Sequence, residues 1–286
     1  MLKYRLIFGT LMTVVFTALV ILDGWLDGSL TAAAADDAPV KSTVLFLLIA
    51  LLIVPATLEL SALAAAKNMK IFTPVSITSS ILFAGCWYWP QILELSPQIY
   101  LVLLSAFSLF TLLLYQNLRY GMDGTLANCG VNCFSILYLG LLSTFVMAIR
   151  IEFGVWPLLM FVFVVKCADI GAYTTGSLFG KHRFSPKISP GKTWEGIAGA
   201  VLFAMIIAVL FAVIFGIMVW PLALLFGFSF AFIGQLGDLA ESMLKRDARQ
   251  KDASDNVPGF GGILDVIDSP LAAAPFAYLF FVLVLR

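Results

Sequence analysis

Long apolar segments with very few charges run through the whole chain, and they restrict its fold more than any other feature. A run of about 20 apolar residues is long enough for a helix to cross the hydrocarbon core of a bilayer. The hydrophobic fraction of 61% is more than a soluble domain needs for its core. Nine such segments can be drawn; the fourth and fifth are short, so eight spans stay open. The segments are 5–22, 43–66, 74–93, 98–115, 133–149, 156–179, 197–219, 222–244 and 263–285.

These segments favour helices over barrel strands. Backbone polar groups in lipid must be satisfied within the protein, so only helices and closed barrels span membranes. The segments lack the alternation of apolar and polar residues that is typical of barrel strands. We therefore predict an all-α, polytopic integral membrane protein with about nine transmembrane helices. We treat it as one integral domain, with N-terminal helices in 1–149 and catalytic helices in 150–286, because no soluble part is long enough to fold alone.

The distribution of lysine and arginine predicts the orientation. If the N-terminus is cytoplasmic, only Lys41, Arg150 and Arg286 of the assigned basic residues fall on the outer side. This asymmetry follows the positive-inside rule and predicts a cytoplasmic N-terminus and an external C-terminus. Lys3 and Arg5 before an apolar run are also typical of a signal peptide. A retained first helix is favoured because that run is long and the alanine-rich stretch lies well beyond it.

Charge and cysteine usage exclude some classes of function. The formal net charge is zero, which gives no reason to expect nucleic acid as a partner. The chain has one histidine, His182, and four cysteines. Cys129 and Cys133 lack a second pair of ligands nearby, so we do not expect a zinc site.

Four carboxylates lie within or beside the last two apolar segments. Acids at membrane depth are costly and usually face an interior site or a water-filled cleft. Asp238 and Glu241 share one helical face with Lys245, and Asp265 and Asp268 share a face at the start of the next segment. Carboxylates at these spacings suit magnesium, which takes a few carboxylates, waters and substrate phosphates. The sequence therefore predicts a magnesium site formed by the four acids.

Two alternatives for the acids stay open. Lys245 and Arg246 could neutralise them in a structural network, although four acids beside two cations leave negative charge for a metal to balance. The acids could also form the proton or sodium relay of an ion-coupled transporter, but such a relay would not need the basic loop described next. The Gly261–Gly262 pair predicts a sharp turn before a helix whose N-terminal end favours an anion such as phosphate.

The connection 180–196 combines positive charge with hydroxyl groups. It reads GKHRFSPKISPGKTWEG, and cations with short hydroxyl donors can hold a triphosphate. The GKT at 191–193 is not a P-loop, because Pro186 stands where the required glycine belongs. The simpler alternative is an ordinary positive-inside loop with turn-forming prolines. The length of the connection and its spacing of serine, lysine and proline favour a function. A second cytoplasmic connection, 245–262, joins the two acidic segments.

Several motifs in this half of the chain resemble those of one enzyme family. The stretch from Ser242 to Asp268, SMLKRx4KDASx2VPGFGGILDVID, resembles the signature of phosphatidate cytidylyltransferases, or CDP-diacylglycerol synthases. The stretch PKISPGKTWEG is similar to the second hallmark of that family. The DIGAY segment at Asp169 and the GDLAES segment at 237–242 also fit. The motifs cover the chain from about Lys166 onward, and the N-terminal half matches only in its multispan character.

The resemblance implies that CTP and phosphatidate react to give CDP-diacylglycerol and pyrophosphate. It implies Mg²⁺, with room for a second cation, in an integral membrane protein of a bacterial inner membrane whose active site faces the cytoplasm. The implied metal ligands are Asp238, Glu241, Asp265 and Asp268. The implied catalytic residues are Asp238, Asp265, Asp268 and Lys245. The implied substrate-binding residues are Lys187, Ser189, Lys192, Thr193, Glu195, Ser242, Arg246 and Asp169.

The chain departs from the family pattern at two positions. Phe260 stands where a histidine is common, and Val266 stands where an arginine is common, which removes hydrogen-bonding capacity near the expected phosphate site. Both acids of the pair, Asp265 and Asp268, are retained. Alternatives are a CTP-dependent enzyme acting on another lipid, an ion-coupled transporter and a silent paralogue. A homodimer is compatible with the sequence, which does not give the oligomeric state.

Overall fold

The computed structural model describes residues 2–31, 40–251, 253–254 and 261–286. Within these ranges the regular secondary structure is helical, and an isolated β-bridge joins Arg183 to Thr193. The predicted all-α class is therefore confirmed. Phe260 lies outside the described residues, as do Asp252 and much of the connection between the last two helices.

Eleven α-helices occur in the described residues. They are α1 (Leu2–Leu26), α2 (Thr43–Ala65), α3 (Thr73–Ala84), α4 (Trp89–Leu93), α5 (Pro97–Tyr120), α6 (Thr125–Ser135), α7 (Leu142–Phe153), α8 (Val155–Phe179), α9 (Trp194–Phe215), α10 (Trp220–Asp247) and α11 (Ile263–Leu285). A π-helical segment, Ile136–Leu141, joins α6 to α7 without a break, so these two helices form one long rod.

By length and composition, eight helical segments in the described part of the chain could cross a membrane, and the α6–α7 rod is one of them. The third predicted segment, 74–93, is not among these eight, whereas the short fourth and fifth segments, 98–115 and 133–149, lie within long helices. Helix α3 has 12 residues, which span only about 18 Å. The chain turns at Gly85, where an added Cβ would lie 2.9 Å from the Phe46 ring and also meet Trp89. This close packing breaks the segment into α3 and α4.

The broken segment still connects the two ends of the bundle. At one end, Lys67 forms an ion pair of 2.7 Å with Asp247, just before α3 begins. At the other end, the Gln91 side chain of α4 accepts a hydrogen bond of 2.8 Å from the backbone N–H of Lys41. The chain therefore passes from end to end along α3 and α4 as it does along each long segment. Which end is cytoplasmic stays a prediction.

Small residues let the C-terminal helices pack closely. A Cβ on Gly171 of α8 would lie 2.6 Å from the carbonyl oxygen of Gly199 in α9. Helix α9 in turn approaches α10 at Gly227, where a Cβ would lie 2.6 Å from the Met205 Cα. Small residues allow backbones to approach inside a membrane, where packing rather than hydrophobic burial drives helix association. This packing places the α8–α9 connection beside the last turns of α10.

A buried charge network fixes the opposite end of the bundle. Arg150 of α7 is only 1% exposed, and its guanidinium lies 3.1 Å from the Asp23 carboxylate and 2.8 Å from the Asp27 carboxylate. Asp27 also accepts hydrogen bonds from the backbone and hydroxyl of Ser29. These contacts tie the end of α1 to α7, about 120 residues further along the chain.

Candidate active site

Three acidic side chains converge where α10 meets α11. Asp238 and Glu241 lie one turn apart on α10, and Asp268 lies on α11; one carboxylate oxygen of each is within 4.8 Å of the others. Glu241 and Asp268 are buried, and Asp238 is half-buried. The helices come together at Gly237, where a Cβ would lie 2.7 Å from the Cβ of Ala272. The glycine beside Asp238 thus allows the acids of the two helices to meet.

Glu241 is the most deeply buried acid of this cluster. Its side chain is fully buried, and neither carboxylate oxygen receives an aligned hydrogen bond in the described part of the structure. Lys245, one turn further on, is in ion-pair contact with one of these oxygens. Buried acceptors without partners are costly. A cluster made only of carboxylate oxygens fits a hard divalent cation such as Mg²⁺, so Asp238, Glu241 and Asp268 fit the predicted metal.

Asp265, the fourth predicted metal ligand, has different contacts. One of its oxygens is in contact with the Lys245 ammonium group. The other accepts hydrogen bonds from the backbone N–H of Gly262, at 2.7 Å, and of Ala253, at 3.2 Å. Lys245 therefore lies between Asp265 and Glu241, and Asp265 holds both that lysine and the start of α11. The structure brings three of the four predicted acids into one cluster, and a metal contact of Asp265 stays a prediction.

Glu59 of α2 caps the N-terminus of α11. Its carboxylate accepts hydrogen bonds from the backbone N–H of Ile263, at 3.0 Å, and of Leu264, at 2.8 Å, and from the Ser254 hydroxyl at 2.7 Å. The anion at this helix end is thus the Glu59 carboxylate, which agrees with the predicted preference for an anion and occupies the N–H groups that the prediction offered to a phosphate. From the sequence, Glu59 was only a lone acid in an apolar segment that could face the cavity or the interface.

The predicted sharp turn at the glycine pair is confirmed. Gly261 has a φ of 106°, which favours glycine. A Cβ on Gly262 would clash with the Glu59 carboxylate. Both glycines are therefore required for α2 and α11 to meet at this point.

The basic connection folds back over the end of α10. It forms a narrow turn in which the Phe184 N–H donates to the Lys192 carbonyl at 3.0 Å. The Lys192 ammonium group lies 2.8 Å from Asp238 and donates to the backbone carbonyl of Gln235 at 3.0 Å. Arg246 donates from its Nε to the carbonyl of Ile188 at 3.2 Å. The structure thus joins the basic connection to the acid cluster.

Several predicted substrate-binding residues have contacts within the protein. The Thr193 hydroxyl accepts from the Gly196 N–H at 3.1 Å and caps α9. Glu195 accepts from the backbone N–H groups of Lys181 and His182, both at 3.2 Å, and pairs with the His182 ring at 2.6 Å. These side chains shape the connection, which the sequence alone did not indicate.

Other predicted residues differ in their accessibility. The Ser242 hydroxyl donates to Asp238 at 3.3 Å and so lies beside the acid cluster. Lys187 is exposed, and Ser189 is half-buried. The Lys187 side chain is therefore accessible to a ligand, and that of Ser189 is partly so.

Asp169 of α8 connects to the site through a residue that the sequence analysis missed. The Gln235 side chain donates to Asp169 at 3.1 Å, and the Gln235 carbonyl accepts from Lys192. Lys166 lies 3.6 Å from the other Asp169 oxygen. These contacts join Lys166 and Asp169 to the site through Gln235. The only sequence signal for Gln235 was an amide side chain at membrane depth, three residues before Asp238.

Family comparison agrees with this arrangement. The model of the cytidylyltransferase family matches residues 3–284 of the chain. The chain belongs to this family. The predicted family resemblance, which the motifs carried only from about Lys166 onward, is thereby confirmed and extended to the N-terminal helices.

Curated relatives are phosphatidate cytidylyltransferases. The protein of that name from Chlamydia pneumoniae is 31% identical over 246 residues, 78% of this chain and 78% of the relative. Those from Haemophilus influenzae and Pseudomonas aeruginosa are 42% identical over 134 residues and 46% identical over 127 residues. The match covers 45% and 42% of this chain, and the chain spans just under half the length of these two relatives, 46% and 47%. This family member is an integral membrane protein with its acid cluster inside the bundle.

Proposed function

We propose that the chain is a phosphatidate cytidylyltransferase, a nucleotidyltransferase of phospholipid biosynthesis. The observation that carries the proposal is the 2.8 Å contact between Lys192 and Asp238, which unites a basic connection with a buried acid cluster. A phosphoryl-transfer site needs cations for the phosphates and carboxylates for a metal, in one cleft. The names of the relatives supply the substrates, CTP and phosphatidate.

In the proposed reaction, a phosphate oxygen of phosphatidate forms a bond to the α-phosphorus of CTP. The bond between that phosphorus and the oxygen bridging it to the β-phosphorus breaks, and pyrophosphate leaves with the electron pair. The attacking phosphate is already ionised, so no general base is required. Rate enhancement then depends on positioning and on neutralising charge.

Two groups of side chains position the substrates and neutralise their charge. Lys187, Ser189 and Lys192 of the basic connection bind and orient phosphate oxygens of CTP or lipid. Lys245, held between Glu241 and Asp265, carries positive charge at the floor of the cleft. Burial of this floor excludes water from the reacting groups.

A Mg²⁺ ion is the proposed cofactor. Asp238, Glu241 and Asp268 would hold it, and when bound it would neutralise negative charge on the phosphates. A second cation is proposed as well, since a triphosphate and a lipid phosphate together bring more negative charge than one Mg²⁺ balances.

The proposed location is a bacterial inner membrane, with the site facing the cytoplasm. Lysines and arginines cluster at the end of the bundle that carries the basic connection, which is typical of a cytoplasmic side. A cleft at this depth is accessible to CTP from water and to phosphatidate from the leaflet.

The function is tested by measuring the transfer of label from CTP to lipid by the purified 286-residue chain. With phosphatidate and Mg²⁺, we expect label in the lipid product, and EDTA should abolish it. Asp268→Asn should lower turnover by about 100-fold or more. The matched control is Asp247→Asn, on an exposed α10 acid outside the cluster, which should retain activity within about twofold.

Other outcomes would identify the alternatives. Label transferred only to an isoprenoid phosphate or alcohol would indicate a related enzyme with another lipid acceptor. Ion-coupled flux in sealed vesicles without CTP turnover would indicate a transporter. CTP binding without turnover on any lipid would indicate a silent paralogue.

A further inference from the structure

The N-terminal half contributes an irregular turn to the neighbourhood of the acid cluster. The rod from Thr125 to Phe153 changes to π-helical geometry over Ile136–Leu141. Single π-turns are rare in helices and recur at functional sites, because the extra residue changes the direction of neighbouring side chains. Tyr138 lies at the centre of this segment.

Close packing holds the π-turn in place. Gly140 lies against α3, where an added Cβ would be 2.7 Å from the Ser80 Cα. On the other side, Tyr138 packs in a buried cluster with Leu60 of α2 and with Leu264 and Leu271 of α11. The ring is therefore fixed between the N-terminal helices and the helix that carries Asp268.

In the part of the chain that the structure describes, the Tyr138 hydroxyl has no hydrogen-bond partner. The residue is 9% exposed, and its hydroxyl oxygen is buried without a hydrogen bond in the described structure. Asp268 lies between Leu264 and Leu271 on the face of α11 that packs against Tyr138. The ring of Tyr138 thus packs on the side of α11 that carries Asp268, and its hydroxyl forms no hydrogen bond with the acid cluster in the described structure.

Buried acceptors and a buried donor, all without aligned hydrogen bonds in the described structure, therefore lie in one region. Glu241 presents buried acceptors without aligned donors, and Tyr138 presents a buried donor without an acceptor. The two side chains do not bond to each other in the described structure, although the Tyr138 hydroxyl could donate a hydrogen bond to a carboxylate such as Glu241. A cation bound by the acids would neutralise the Glu241 carboxylate. An oxygen atom coordinated to that cation could accept a hydrogen bond from the Tyr138 hydroxyl.

We propose that the Tyr138 hydroxyl donates a hydrogen bond to an oxygen atom in the coordination sphere of the cation held by Asp238, Glu241 and Asp268. Tyr138 is then a positioning residue that the N-terminal helices add to the site. The proposal rests on the proposed function for its metal. The acceptor oxygen belongs either to a bound water or to a substrate phosphate, which share the same chemistry.

The test compares Tyr138→Phe with Tyr278→Phe in the full-length protein. The control also removes one phenolic hydroxyl from a transmembrane helix. The hydroxyl of Tyr278, however, donates a hydrogen bond to Glu152 at 3.1 Å near the opposite end of the bundle. Three quantities are measured for each variant: Mn²⁺ affinity by electron paramagnetic resonance, the KM and kcat for CTP, and the thermal unfolding midpoint.

A weaker Mn²⁺ affinity without nucleotide, by about tenfold, would support the proposal and identify water as the acceptor. Unchanged Mn²⁺ affinity with a KM for CTP raised by about tenfold would support it and identify a phosphate oxygen. Tyr278→Phe should change neither quantity.

Two results would overturn the proposal. One is a Tyr138→Phe protein with unchanged Mn²⁺ affinity, KM and kcat. The other is a fall in its unfolding midpoint without metal that exceeds the fall for Tyr278→Phe, since the hydroxyl would then have a structural partner. If the unchanged protein turns over no CTP while Tyr138→Phe still weakens Mn²⁺ binding, the proposed function fails and the role of Tyr138 stands.

Discussion

The Lys192 ammonium group lies 2.8 Å from the Asp238 carboxylate and so links the basic connection to helix α10 across 46 residues of sequence. Each partner comes from a different family motif. The contact brings positive charge for phosphates beside carboxylates for a metal, which neither motif supplies alone. It therefore gives a physical reason for both motifs to occur in one chain.

Replacing Lys192 by methionine tests this link. The change keeps an unbranched side chain but removes the ammonium group and its charge, so Asp238 loses its cation and the substrate loses a phosphate contact. We expect kcat/KM for CTP to fall by about 10- to 100-fold, which corresponds to about 1.4–2.7 kcal/mol of transition-state stabilisation. The measurement is steady-state kinetics at varied CTP. Lys181→Met, on an exposed lysine of the same connection, is the control, and an equal loss in both variants would contradict a specific role for Lys192.

The sequence predicts the parts of this site that depend on local spacing. Asp238, Glu241 and Lys245 share a helical face, and the ion pair between Glu241 and Lys245 agrees with that spacing. Hydropathy likewise predicts the long helices, since each is an unbroken apolar run. The two glycines before α11 also indicate the turn that they form.

The remaining features depend on which elements pack together, and local spacing carries no information on that. Asp265 and Asp268 share a face, yet Lys245 reaches only Asp265, so the pair is divided between two roles. Glu59 meets α11 across about 200 residues of sequence. The break at Gly85 depends on rings that pack against it. None of these contacts has a signal at fixed spacing.

Removing the Glu59 carboxylate should loosen the start of α11. In Glu59→Ala, the N–H groups of Ile263 and Leu264 lose their acceptor, and loss of a helix cap costs about 0.5–2 kcal/mol. Hydrogen exchange with mass spectrometry should detect faster exchange in the first turn of α11. Asp123→Ala, at an exposed acid between α5 and α6, is the control. Protection that is unchanged in Glu59→Ala would show that other groups hold this helix end.

A single methyl group at Gly262 should disturb the same contact. The added Cβ would clash with the Glu59 carboxylate, so we expect Gly262→Ala to lose at least about tenfold in turnover as Asp265 and Lys245 shift. Turnover of labelled CTP measures the effect. In Gly130→Ala the Cβ would meet no atom of the described residues within 4 Å, and activity should be retained. Full activity of Gly262→Ala would mean that α2 can move away from α11 without affecting the site.

Arg150 should stabilise the fold at the end of the bundle away from the site. Arg150→Met leaves Asp23 and Asp27 buried without their cation, and breaking a buried pair in this way costs about 3–5 kcal/mol. We expect a lower thermal unfolding midpoint in detergent. Arg286→Met is the control, because Arg286 is 59% exposed and its ion pair with Glu152 should contribute little. Equal midpoints for the two variants would contradict a stabilising role for the buried network.

The same network should make stability depend on pH in acid. Burial acts to raise the pKa of the Asp27 carboxyl, but hydrogen bonds from Ser29 and Ser42 and the charge of Arg150 outweigh it, so this pKa lies below its ordinary value. A carboxyl with a lowered folded-state pKa binds its proton more readily in the unfolded chain. Its contribution is therefore fully present above the unfolded pKa of about 3.9 and is lost as the pH falls toward the lower folded value. Unfolding midpoints measured between these limits should fall less steeply in Asp27→Asn than in the unchanged protein, and identical slopes would exclude Asp27 as a source of the acid sensitivity.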